Sequence, residues 1–157
     1  MKLQYFILSV LLFTCQFGFA QTIRLTSFDQ LMQSLNSGEQ VRVVIHYGQC
    51  QWAPTENKQT PTPKAVTGMV IDTYEYFPSG AIHNKNSFVV FSNSKLIKNP
   101  IGKGYVMNYG KVRINDDNTV QITAKYIKPG NFKELMSEVF VGKLNDGNNN
   151  EGINLFK

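Results

Sequence analysis

Three side chains in this sequence have the chemistry of a catalytic centre: the thiol of Cys50 and the imidazoles of His46 and His83. A cysteine nucleophile needs a base within about 3 Å of its sulfur. His46 lies four residues before Cys50 in a segment with the pattern of a strand. An extended chain would separate the two by roughly 13 Å, at about 3.3 Å per residue. A catalytic pair would therefore require the fold to bring His83 to Cys50.

Cys50 also has structural interpretations. Free cysteine is among the residue types most often buried, where it packs as a small apolar side chain. An odd cysteine in an exported chain can instead form an intermolecular disulfide. The cysteine and histidines lack the spacing of a zinc site, and the sequence contains no phosphate-binding or serine-hydrolase motif. We predict no enzyme activity, no metal and no cofactor; the alternative is a thiol-dependent enzyme that uses Cys50 with His83.

A group of tyrosines is suited to binding rather than to catalysis. Alternation along a predicted strand places Tyr74 and Tyr76 on one face, and a later strand places Tyr105, Tyr109 and Lys111 on one face. If the two strands share one side of a curved sheet, these side chains line a concavity suited to a small ligand or a glycan. Tyrosines are also common in half-buried strands, so ordinary packing is the alternative.

The sequence before Cys50 carries clear local signals of a helix followed by a strand. Ser27 has the type of a helix N-cap, and Gln30 completes a capping box. Apolar residues at positions i, i+3, i+4 and i+7 predict a helix over residues 28–37. Alternating apolar residues then predict a strand over residues 41–47, which leads directly to Cys50.

The remaining patterns predict mostly strands. Residues 51–64 contain three prolines and no periodicity, which predicts a surface loop with Trp52 packed at the edge of the core. One strand is predicted over residues 66–77, and others follow up to residue 128. The segment 145–157 is expected to be a flexible polar tail, in which Ile153, Leu155 and Phe156 either add a last strand or fray. The fold class is α+β and β-dominated: a twisted antiparallel meander, or a partly closed barrel of about six or seven strands, with one N-terminal helix packed on it.

Residues 1–20 have the features of a secretory signal peptide. Lys2 precedes an apolar run, and Gly18 and Ala20 supply the small residues that a signal peptidase recognises. Cleavage after Ala20 would leave one domain over residues 21–157 that is periplasmic or secreted and does not span a membrane. A lipoprotein anchored through Cys15 is the alternative.

The charge of the chain limits its partners. The formal net charge is +5, and cleavage after Ala20 would remove Lys2 and leave 15 − 11 = +4. The basic residues are scattered singly along the sequence, which favours solubility and mild attraction to anionic surfaces. This scatter argues against nucleic acid as a partner. The expected partner is a small ligand, a glycan, or an envelope or host protein.

The order of short motifs resembles the VirK family of small exported bacterial proteins. The pattern F-x-x-L-x-x-x-L-x-x-G is followed by V-R-V-V-I-x-x-x-x-C over residues 28–50, and further matches occur at residues 71–74, 78–82, 92–94 and 117–120. The resemblance covers residues 27–128, with departures in the proline-rich segment and the tail. It implies an exported protein with no assigned biochemical activity, and for some relatives an association with virulence. We predict a non-enzymatic binding protein of the VirK type.

Overall fold

The computed structural model describes residues 22–157, and within them the chain forms one α-helix and ten strands. The helix α1 is Phe28–Asn36, and Tyr47–Gln49 and Pro54–Glu56 are short 3₁₀ turns. The strands are β1 (Arg24–Leu25), β2 (Val41–His46), β3 (Gln51–Trp52), β4 (Val66–Ile71), β5 (Glu75–Phe77), β6 (Phe88–Lys98), β7 (Tyr105–Asn115), β8 (Thr119–Ile127), β9 (Glu134–Lys143) and β10 (Ile153–Phe156).

The strands form two antiparallel sheets. Sheet A has the order β1-β10-β2-β4, and sheet B has the order β3-β9-β8-β7-β6-β5. The predicted α+β, strand-dominated meander is confirmed, because β5 to β9 are consecutive neighbours in sheet B. The described residues form no closed barrel. Three of the ten strands, β1, β3 and β5, are only two or three residues long, and a fourth, β10, comes from the tail. These four strands account for the excess over the predicted six or seven.

Helix α1 begins and ends close to the predicted positions. The amide of Gln30 donates to the Ser27 hydroxyl over 3.3 Å, which satisfies one of the free amides of the first turn. The Gln30 side chain accepts from the amide of Thr26 over 2.8 Å, one residue before the position expected for a capping box. Leu31 and Leu35 are buried in the core. The helix therefore covers one part of the sheet core, as its apolar stripe predicts.

The core lies between the inner faces of the two sheets. Sheet A contributes alternate residues of β2 and β10, and sheet B contributes alternate residues of β7, β8 and β9. The fully buried members include Val41, Val43, Ile45, Ile153 and Leu155 from sheet A, and Val89, Val112, Ile114, Ile122 and Phe140 from sheet B. Strands of sheet A have at most six residues, whereas β6 and β7 have eleven. Part of the inner face of sheet B therefore extends beyond sheet A.

The predicted single strand over residues 66–77 is wrong. The chain forms β4 in sheet A, leaves it at residues 72–74 and enters sheet B as β5. The apolar pattern on either side of the break looks continuous in sequence because both strands carry inward-facing residues. Only the tertiary structure separates the two pieces.

Two segments expected at the surface contribute to the sheets. The proline-rich segment 51–64 begins with β3, which pairs with β9 at Gln51↔Val141 and Trp52↔Phe140. The tail 145–157, expected to be flexible, ends in β10, which lies between β1 and β2 in sheet A. A polar stretch thus precedes a largely buried strand, and the alternative of a last strand is the one that residues 153–156 adopt.

The signal peptide predicted over residues 1–20, its cleavage site and the lipoprotein alternative at Cys15 lie outside the described residues. Within residues 22–157, no helix has the length and apolar character needed to cross a bilayer.

Candidate functional site

A cleft of about 330 Å³ opens where the inner face of sheet B extends past sheet A. Its floor comes from β6 to β9, and one wall comes from β4, the edge strand of sheet A. The volume lies at the lower end of the range for small-molecule sites, about 300–1,000 Å³. The cleft is therefore large enough for a ligand of modest size.

The cleft exists because two small residues face each other on adjacent strands. Gly110 on β7 is directly opposite Ala124 on β8, whereas the preceding inner pair, Val112 and Ile122, is fully buried and fills its space. Above this floor, the terminal methyl of Met69 would lie 3.1 Å from a Cβ added at Gly110. The small residues at these two positions leave room on the floor, part of which the Met69 side chain fills.

Two amide side chains point into this space. Asn93 on β6 pairs with Gly110, and Asn108 on β7 pairs with Lys95, so the two asparagines are diagonal neighbours on the inner face, roughly 7–8 Å apart. Within residues 22–157 neither side-chain amide is hydrogen-bonded to another protein group. Each can donate and accept, so both are available to a polar ligand.

Aromatic rings form the wall next to these amides. Tyr47 and Phe140 have ring centroids 4.7 Å apart, and Trp52 stacks on Phe140 at 4.6 Å with 26° between the planes. Tyr126 lines the same space. Burial raises the pKa of the Tyr47 hydroxyl to about 12, so this group is a neutral donor and acceptor at neutral pH. The prediction of Trp52 as an anchor at the core edge agrees with its position.

The proline-rich segment borders the cleft. Lys58 forms an ion pair with Glu138, a residue of the cleft lining, with 2.9 Å between Nζ and Oε1. The same ammonium lies 4.1 Å from the centre of the Trp52 ring, and the Trp52 indole donates to the carbonyl of Thr60 over 2.7 Å. These contacts hold the segment against sheet B and fix the position of one charged group at the cleft.

Cys50 lies outside the cleft, buried in the core with 6% of its surface exposed. Its thiol donates to the carbonyl of His46 over 3.5 Å. Burial raises the pKa of the thiol to about 11, and the nearby Glu151 carboxylate adds to this shift. At neutral pH the side chain is therefore a protonated thiol, which is a poor nucleophile.

The expected extended path from His46 to Cys50 is wrong, because the 3₁₀ turn at residues 47–49 folds the chain back. Alternation along β2 places the His46 imidazole on the opposite face of the strand from the buried Val43 and Ile45. His83 lies in the loop between β5 and β6 and is exposed. The strands next to Cys50 and His83 form opposite edges of sheet B, five strand spacings or roughly 24 Å apart at about 4.8 Å each.

We expect Cys50 to react slowly with iodoacetamide in the folded protein. With a pKa of about 11, about one thiol in a thousand is ionised at pH 8, roughly 100-fold fewer than for an unperturbed cysteine. Mass spectrometry of the peptide that contains Cys50 measures the rate. The same protein in urea supplies the control and should react at the rate of a free cysteine. Fast labelling of the folded protein would contradict the burial of the thiol.

Comparison with known proteins identifies the family. The model of the VirK protein family matches residues 24–132, or 109 of the 157 residues. The chain belongs to the VirK family. A VirK family protein from Legionella pneumophila, solved by crystallography, superposes with a TM-score of 0.66 at 17% identity, covering 86% of this chain and 99% of its own. At this identity the similarity shows a shared fold. Among curated proteins no significant match is found.

The five residues predicted to bind a ligand in this VirK protein do not form one surface. Tyr74 lies in the crossover between the sheets and packs against the core, and Tyr76 is exposed on the edge strand β5. Tyr105, Tyr109 and Lys111 lie on β7, and only Tyr109 borders the cleft. Tyr76 pairs with Val89, and Val89 pairs with Ile114, so Tyr76 belongs to the opposite face of sheet B from Tyr105, Tyr109 and Lys111. The group chosen from the sequence is thus divided by the fold.

The residues that do line the cleft of the VirK fold were not singled out from the sequence. Asn93, Asn108 and Tyr126 are ordinary strand residues in a linear reading. One signal was present: Gly110 lies inside a strand pattern, and a glycine there often marks a close approach of backbone or ligand. Within residues 22–157, no three histidine, cysteine, aspartate or glutamate side chains are grouped as a metal site.

Proposed function

We propose that this chain is an exported, non-enzymatic binding protein whose cleft takes a sugar unit of a glycan. The observation that carries the proposal is the pair of side-chain amides, Asn93 and Asn108, that face the cleft without a protein partner. Amides suit sugar hydroxyls because each amide offers both donors and an acceptor. The apolar face of a sugar ring packs on aromatic side chains, and Tyr47 and Tyr126 supply them here.

The sequence of residues 1–20 and the family membership support the exported and non-enzymatic parts of the proposal. An apolar run after Lys2 and small residues before Gln21 are typical of a signal peptide. The one thiol within residues 22–157 is buried and lies far from His83, so nothing in the geometry favours the alternative of a thiol-dependent enzyme. These features are consistent with a partner that the protein binds and does not change chemically.

Fluorescence of Trp52 tests the proposal directly. Trp52 is the single tryptophan of the sequence and stacks on Phe140, which lines the cleft. We expect a saturable change when the protein is titrated with at least one member of a panel of neutral hexoses, N-acetylhexosamines and uronic acids. Tyr126→Ala should weaken that binding about tenfold, because a stacked aromatic contact contributes about 0.5–1.5 kcal/mol beyond its buried area.

Two further variants locate the binding. Ala124→Leu adds side-chain volume to the cleft floor without removing a polar group, and it should abolish the response. Tyr105→Ala is the matched control, since Tyr105 is a tyrosine with 66% of its surface exposed and no part in the cleft lining. The absence of a response from every sugar, or a response that survives Ala124→Leu, would overturn the proposal.

A further inference from the structure

The fold concentrates the positive charge of the chain at one end of sheet B. Residues 95–105 and 125–135 contain six lysines and one acid, Glu134, for a net charge of 6 − 1 = +5. The whole chain has a net charge of +5, so all other residues together are neutral. We refer to these two segments as the basic end. The lysines that are scattered in the sequence are therefore not scattered in space.

Pairing within sheet B places the two segments side by side. Lys98 pairs with Tyr105 at the tip of the β6–β7 hairpin, and Ile127 pairs with Glu134 at the tip of the β8–β9 hairpin. Both tips lie at the same end of the sheet, about 10 Å apart at two strand spacings. Asp116 and Asp117 occupy the β7–β8 turn at the opposite end. The excess of positive charge thus lies at one end of the sheet.

The basic end also exposes apolar side chains. Of the nine large apolar residues that are exposed within residues 22–157, five belong to these 22 positions: Leu96, Ile101, Tyr105, Phe132 and Leu135. Phe132 is 72% exposed and has a positive φ of 54°, a conformation that bulky residues rarely adopt. An exposed large ring at a strained backbone position is a candidate contact for a partner.

We propose that the basic end docks on an anionic phospholipid surface. Lys98, Lys103, Lys128 and Lys133 would lie at the level of the headgroups, and the rings and aliphatic side chains at the hairpin tips would insert between the lipids. Basic side chains beside exposed apolar ones are the composition of interfacial membrane-binding surfaces. Within residues 22–157 these four lysines form no ion pair, so their charge is available to the lipid.

A nucleic acid is a less suitable polyanion for this surface. Arginine is the residue that recognises phosphates and bases through paired hydrogen bonds, and all three arginines of the chain lie outside the basic end. Exposed aliphatic residues such as Leu96 and Ile101 would bury little apolar area against a phosphate backbone. Their burial in lipid, by contrast, removes apolar area from water.

Flotation with lipid vesicles tests the proposal with the full chain. We expect binding to vesicles of phosphatidylcholine with 30% phosphatidylglycerol and at least tenfold weaker binding to phosphatidylcholine alone. Raising the salt from 0.1 M to 0.5 M should weaken the binding at least tenfold, because exposed charges are screened. The double variant Lys98→Gln, Lys103→Gln should weaken it roughly 25-fold, at about fivefold per lysine.

A matched pair of variants tests the apolar contribution. Phe132→Asn removes the ring and places a residue that tolerates a positive φ, so it should weaken vesicle binding at least tenfold without loss of stability. Ile82→Asn is the control, because Ile82 is 56% exposed and lies in the β5–β6 loop at the opposite end of sheet B. All variants keep residues 1–20, so any lipid affinity of that apolar segment is common to them.

Four results would overturn the proposal. These are equal binding to neutral and anionic vesicles, equal loss of binding in Ile82→Asn and Phe132→Asn, no vesicle binding at all, or tighter binding to a duplex oligonucleotide than to the anionic vesicles. None of the substituted residues lines the cleft. The result is therefore independent of whether the cleft binds a sugar.

Discussion

Leu155→Ala is expected to destabilise the protein by about 2–5 kcal/mol, the usual cost of truncating a buried leucine. Leu155 has no exposed surface and lies in β10 between Leu25 of β1 and Val43 of β2. The loss is a large fraction of the 5–15 kcal/mol typical of small domains. Urea unfolding followed by circular dichroism would measure it as a lower midpoint at an unchanged slope.

The matched control is the same substitution at an exposed leucine. Leu96→Ala changes a side chain that is 63% exposed, and it should alter the free energy of unfolding by less than about 0.5 kcal/mol. Equal effects of the two substitutions would contradict the central position of β10. They would instead indicate that the tail contributes little to the folded state.

Gly152→Ala is expected to cost about 3 kcal/mol or more, at the upper end of the range for overpacking. A Cβ on Gly152 would lie 2.4 Å from the carbonyl oxygen of His46 and 3.0 Å from the Cβ of Gln49. The first contact is with backbone, so no side-chain rotation relieves it. The strand must move, and the hydrogen bond from the His46 amide to the Gly152 carbonyl, 2.8 Å long, is expected to break.

Hydrogen exchange at the His46 amide measures this effect separately from global stability. Gly48→Ala is the control, because a Cβ there would meet its nearest neighbour at 3.6 Å, an ordinary contact. We expect unchanged protection of His46 in Gly48→Ala and clear loss in Gly152→Ala. Normal protection in both variants would show that β10 can shift without breaking its pairing with β2.

The helix and the first long strand were predictable because their signals are local. The Ser27 cap, the apolar stripe of α1 and the alternation in β2 all depend on residues within a few positions of one another. The burial of Ile153–Phe156 was not predictable in this way. Its pairing partners Arg24, Leu25 and residues 42–45 lie more than 100 positions earlier in the chain, and the polar stretch before it resembles a loose tail.

The cleft was not predictable for a related reason. Asn93 and Asn108 lie on a strand face that is apolar farther along, where Phe91 and Val112 are buried. Whether such a face is covered or open depends on where the other sheet ends, and strand lengths in sheet A are set by residues elsewhere in the chain. The division of the tyrosine group has a similar origin, since the chain leaves sheet A at residues 72–74 and the pairing of β5 with β6 places Tyr76 on the opposite face of sheet B from Tyr109.

The place of β10 between β1 and β2 has a consequence for the timing of folding. Arg24 pairs with Phe156, so the first strand of the described chain has no neighbour in sheet A until residues 155 and 156 reach it. Pairing over such a sequence distance is slow, because the chain must lose the entropy of closing a long loop before any stabilising contact forms. Sheet A is therefore expected to complete late in folding, and until then the buried faces of β1 and β2 remain open to non-native contacts.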